Sequence, residues 1–139
     1  MYRLLFYIGL ILICGCEFAL KKEDLKQLNG YWEIVKVEFE NGEKKEYTIN
    51  TTIDFIETDG NNGFHKKVQP HLNGLFSTSD DAETFEILEK NGVFHLVYEK
   101  RLHQRKEQLL TLTDNAFSVQ NEEKTTYHYK KYEPILQQD

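Results

Sequence analysis

Short apolar-alternating segments recur about every ten residues, separated by residues that tolerate positive φ, and this train limits the fold more than any other feature. Asn41-Gly42, Asn73-Gly74 and Asn91-Gly92 suit the type I′ turns that join adjacent antiparallel strands. The DGNNG run ending at Gly63 marks a further reversal, and Asp114-Asn115 sits between two apolar pairs. The segments between these turns are 31–39, 48–57, 64–68, 72–77, 84–89, 93–99, 108–113, 117–120 and 125–132. In the first, the apolar phase slips between Ile34 and Val35, which predicts a β-bulge. Segment 93–99 is almost wholly apolar, which predicts cover on both faces. A short helix over 23–28 is expected before the first strand, since Leu25 and Leu28 share a face and Asn29-Gly30 supply a stop. The expected fold is all-β: a small antiparallel up-and-down barrel of about eight strands, in which closure removes exposed edges, with a two-sheet sandwich as the alternative that the succession of hairpins disfavours.

Composition narrows the function classes. The 139 residues carry 17 Lys and Arg against 23 Asp and Glu, a formal net charge of −6, which argues against a nucleic-acid partner. Aromatic residues at 13% supply a core, and charged residues at 29% supply a soluble surface, so the chain is not a disordered tail.

Residues 1–15 read as an address. Arg3 gives a positive start, and the apolar run from Leu4 to Ile13 has the length of a signal-peptide core and is too short to span a bilayer. Ile13-Cys14-Gly15-Cys16 resembles the bacterial lipoprotein box. By that resemblance Cys16 receives a diacylglyceryl thioether and becomes the mature N-terminus, residues 16–22 form the lipidated tether, and 23–139 form the barrel domain. Several acyl chains make a durable anchor. A mature body without Cys14, and with Cys16 lipidated, holds no thiol for a disulfide, a nucleophile or a metal. Membrane attachment would rest on the lipid, because an acidic domain is repelled by anionic headgroups.

Leu28-Asn29-Gly30-Tyr31-Trp32 resembles the Gly-x-Trp signature that opens the first strand of lipocalins. The leader, tether, hairpin train and tyrosine-rich last strand are together similar to bacterial lipocalin-like lipoproteins of the Bacteroidetes type. The resemblance implies that Gly30 and Trp32 close the barrel base, with a basic residue of the last strand, Lys130 or its neighbour Lys131, stacked on the indole. An eight-stranded barrel either packs its own side chains or holds one small ligand.

The alternation gives a set of inward residues. They are Val37 and Phe39 from the first segment, Phe55, Ile87, Phe94 and Leu96 from the middle, and Leu110, Leu112, Tyr127 and Tyr129 from the end. These line an apolar pocket or form an ordinary core; the sequence is compatible with both. The five histidines show no metal-ligand spacing, so no metal is expected. No nucleophile elbow or phosphate-cradling loop occurs, so neither catalysis nor a cofactor is expected. Lys100-Arg101 and Arg105-Lys106 form a basic cluster in an acidic chain, read as a solvated edge. Two roles follow as expectations: non-covalent binding of a small hydrophobic or amphipathic ligand, or a filled barrel serving as accessory subunit of an outer-membrane assembly.

Overall fold

A computed structural model of the chain describes residues 19–134. The leader and the lipidation residue Cys16 lie outside the described residues. A 3₁₀ helix, Lys22–Leu28, is followed by ten strands: β1 (Gly30–Glu38), β2 (Lys44–Glu46), β3 (Ile53–Asp59), β4 (Asn62–Pro70), β5 (Phe76–Thr78), β6 (Glu83–Lys90), β7 (Val93–Lys100), β8 (His103–Leu112), β9 (Ala116–Asn121) and β10 (Thr126–Lys131). Eight of these pair antiparallel in the order β10-β9-β8-β7-β6-β4-β3-β1, and β10 pairs back onto β1. The sheet therefore closes as an up-and-down barrel. The three-residue strands β2 and β5 ride on β1 and β4 outside the ring.

Two expected segments form less strand than their composition suggests. Strand β3 starts only at Ile53, because Tyr47 N–H bonds to Val35 O and the Asn50 amide bonds to Ile34 O, which hold the preceding residues as a loop. Segment 72–77 contracts to β5 after a turn at Gly74, φ +79°. The β1 register does shift between Ile34 and Lys36, as the phase slip predicted. Of the three Asn-Gly pairs, only Asn91-Gly92 has both residues at positive φ, 54° and 77°. At Asn41 and Asn73 the side-chain oxygen instead accepts from the backbone N–H two residues on, a side-chain turn followed by glycine.

One end of the barrel is packed shut. Leu25 and Leu28 from the helix enter the same cluster as Trp32, Ile56, Ile87, Phe94, Leu96, Leu109 and Leu112. Trp32 is fully buried, meets Phe117 edge-on at 4.8 Å, and donates its indole N–H to Leu28 O at 2.7 Å. This bond fastens the helix across the barrel base. A second apolar cluster lies outside the ring: Tyr31 stacks on Phe76 at 4.3 Å and touches Phe55 at 4.8 Å. Ile53 and Val68, paired with each other across β3 and β4, are also buried.

Candidate functional site: the polar mouth of the barrel

The end opposite the helix is chemically different. Strand β8 leaves the packed floor at Leu109 and keeps its inward phase through Glu107 and Arg105. Strand β6 does the same from Phe85 to Glu83, and β3 from Ile56 to Asp54. Strand β10 contributes Tyr127 and Tyr129. Of these, Glu83, Arg105, Glu107, Tyr127 and Tyr129 line an open cavity of about 650 Å³ together with His65, Lys66 and Lys67 of β4, while Asp54 sits just below it. Below it, between Leu96, Tyr98, Phe117 and Val119, only about 10 Å³ is free, room for no more than one water.

Two charge groups build the wall. Asp54 is 1% exposed, and its Oδ1 receives both His65 Nε2 and Lys67 Nζ at 2.5 Å. Burial pushes the Asp54 carboxyl up, but His65 and Lys67 outweigh it and hold the group below its ordinary value. Across the barrel, Arg105 donates to Glu83 at 2.8 Å, and Lys100 reaches the other Glu83 oxygen. The guanidinium lies 4.1 Å above the Tyr98 ring, and its Nε is 3.4 Å from Glu107 Oε1 without forming a hydrogen bond. Burial raises the Glu107 carboxyl, and the nearby Arg105 charge only partly offsets this. Burial also raises the Tyr129 phenol well above its ordinary value. Among the described residues, two buried side-chain polar atoms, Arg105 Nε and His65 Nδ1, lack a hydrogen-bond partner.

The residues read from sequence distribute themselves across three places. Ile87, Phe94, Leu96 and Leu112 are buried in the floor cluster, as packing rather than as an open lining. Val37 is buried opposite Tyr127, and Tyr127 and Tyr129 line the cavity. Phe39, Phe55 and Leu110 are corrections. Phe39 is 43% exposed in the turn beyond β1, where its amide bonds to Glu43 O. Phe55 points outward into the second cluster. Leu110 is 38% exposed because a register shift between Leu109 and Thr111 turns it out while Leu109 and Leu112 stay in.

The base closure is also corrected in one residue. Lys131, not Lys130, lies over the Trp32 ring, with Nζ 4.3 Å from its centroid and 2.9 Å from Asn29 O. Lys130 points to the other face and pairs with Glu33 at 2.9 Å. Gly30 is required here: its φ is +130°, and a Cβ would stand 2.8 Å from Lys131 Nζ.

Sequence reasoning missed the charged wall entirely, and it placed Arg105 on a solvated edge. The inward phase reveals the wall only once the register shift at Leu109–Thr111 is known: back by two from Leu109 it reaches Glu107 and Arg105, whereas from Leu110 it reaches Gln108 and Lys106. Among the described residues, no group of three His, Cys, Asp or Glu is placed to hold a metal.

A closed antiparallel barrel, plugged at one end by a helix and open at the other over a walled cavity, is a calyx, a domain of ligand-binding type. The chain belongs to the lipocalin-like domain family, whose profile matches residues 28–133. A solved structure, a lipocalin-like protein from Bacteroides uniformis ATCC 8492, aligns over 76% of this chain and 99% of its own at 8% identity and a TM-score of 0.48. No curated protein matches the chain.

Proposed function

We propose that this protein is a lipid-anchored lipoprotein of the bacterial envelope, most simply of the outer membrane, whose calyx binds and sequesters a small amphipathic molecule without covalent chemistry. The observation that carries the reading is the open cavity of about 650 Å³ above a floor that is already filled. A ligand there meets charge on β4, β6 and β8 and aromatic faces at Tyr127 and Tyr129. That wall favours a molecule with a polar end over a wholly apolar one, because an apolar ligand would strip water from the charged groups without replacing it.

Native mass spectrometry of the full lipoprotein, gently extracted from its own membrane, tests the reading. A small molecule bound to the monomer is the expected result, and a bare monomer overturns it. Anchoring is tested separately: Cys16→Ser should move the protein out of the membrane fraction, and continued retention would refute the lipid anchor.

A second reading, an accessory subunit docked to an outer-membrane protein, is favoured by one observation. Ile49, Leu72 and Leu75 are 87%, 76% and 65% exposed, and the first two flank a groove on the outside of the barrel. A stoichiometric protein partner in the same spectrum, lost in a Leu72→Asp variant, would establish this reading over sequestration.

A further inference from the structure

Apart from His65, the second partner of Asp54, the charges of the calyx wall balance. Three carboxylates, Asp54, Glu83 and Glu107, face three fixed cations, Lys67, Lys100 and Arg105, in close pairs. Asp81 and Lys66 add one of each sign where they line the cavity. A ligand bearing a single net charge would leave one wall charge uncompensated in a partly dehydrated site, which is costly. Besides the unpartnered His65 Nδ1, two adjacent groups of opposite sign keep residual bonding capacity. Arg105 uses Nη2 on Glu83, holds Nε near Glu107, and gives Nη1 to no described residue. Glu107 makes no hydrogen bond to a described residue, its nearest cation being Arg105 Nε at 3.4 Å.

We propose that the calyx selects a dipolar ligand, one whose negative group sits on Arg105 and whose positive group sits on Glu107, as in an α-amino acid or the end of a short peptide. The inference rests on the binding reading above and specifies the head group. The Tyr98 ring fixes the Arg105 plane from below, so the guanidinium is positioned before a carboxylate arrives. An ammonium at Glu107 would replace the water that burial has removed from that carboxylate. The hydroxyl-bearing rings of Tyr127 and Tyr129 border the same cavity, beside the two charged groups.

Four probes with the same chain length separate the alternatives by titration calorimetry with the full protein: 2-aminooctanoic acid, octanoate, octylamine and octanol. The dipolar probe should bind about tenfold or more tighter than either singly charged one, since each charge-assisted bond is worth at least that factor. Glu107→Gln should then shift preference toward octanoate, and Arg105→Gln should shift it toward octylamine. This opposed pair of shifts cannot come from a general loss of folding. Equal binding of all four probes, or a preference that neither substitution moves, overturns the inference. If no probe binds while the extracted protein carries a small molecule, the head-group assignment falls and the calyx reading stands. If no probe binds and the extracted protein is bare, both fall.

Discussion

The floor and the mouth of this barrel are made by the same strands and share one inward phase, yet they differ in almost every physical respect. Below, Phe94, Leu96 and Leu109 are 2%, 1% and 3% exposed and pack against the helix. Above, Glu83, Arg105 and Glu107 hold one another in pairs around open space. Because the phase continues through β8, the change is one of residue chemistry alone. A single strand thus supplies a packed core at one end and a charged, open wall at the other. The apolar end also excuses the charged end, since it supplies the burial that the mouth does not.

The comparison breaks first if the two ends prove equally important to stability. Leu96→Ala should cost about 2–5 kcal/mol in urea unfolding, the range for a cavity in a packed core. Glu83→Gln, at a partly exposed pair, should cost about 1 kcal/mol or less. Similar losses would mean that the mouth is structural. Next in size is Gly63→Ala, on β4. A Cβ there would stand 2.4 and 2.7 Å from Phe85 ring atoms, so overpacking should cost about 1–3 kcal/mol and lower the melting midpoint.

Acid should separate Asp54 from Glu107 by sign. Asp54 titrates below its ordinary value when folded, so its stabilisation is complete above about pH 4 and is lost as pH falls through the lower folded value. Glu107 titrates above its ordinary value when folded, so ionising it in the folded protein costs stability at neutral pH, and that cost is relieved as pH falls through the raised value. Melting scans should therefore show a rise on mild acidification and then a fall. Glu107→Gln should remove the rise and raise the neutral-pH melting point. A monotonic decline in the unsubstituted protein would show that Glu107 is not strained by burial. The smallest effect belongs to the outer surface: Leu110→Ala should stay within about 0.5 kcal/mol, and a core-sized loss would return Leu110 to the interior.

Much of this fold is legible in the chain, and the failures have identifiable causes. Turn residues and alternation mark the eight ring strands, and the slip at Ile34–Val35 marks a real bulge. The facing of side chains is harder, because one inserted residue reverses everything after it. The bulge at Leu109–Thr111 carries no breaker residue, so Leu110 and Leu112 look equivalent while only Leu112 points inward. Phe55 misleads for another reason: outside the ring it packs against Tyr31 and Phe64, with Phe76 of β5 stacked on Tyr31, so apolar residues gather on that face too, while the polar Asp54 takes the interior. Lys130 and Lys131 differ only in strand phase, which the sequence leaves open and the pairing Trp32↔Lys131 resolves. The charged wall was hidden because charges in a strand ordinarily face solvent. Here solvent reaches inside.

The pairing of β10 with β1 carries a consequence in time. The bond from Lys131 to Asn29 joins residues 102 positions apart, and the seam it belongs to is the last one the chain can make. β1 therefore gains its second neighbour only when nearly the whole chain is present. Until then the strand that bears Trp32 has one open edge, and the floor has no seal. The folding chain is thus most open to mispairing before β10 docks, and a truncation that removes only the final strand should abolish closure rather than trim it.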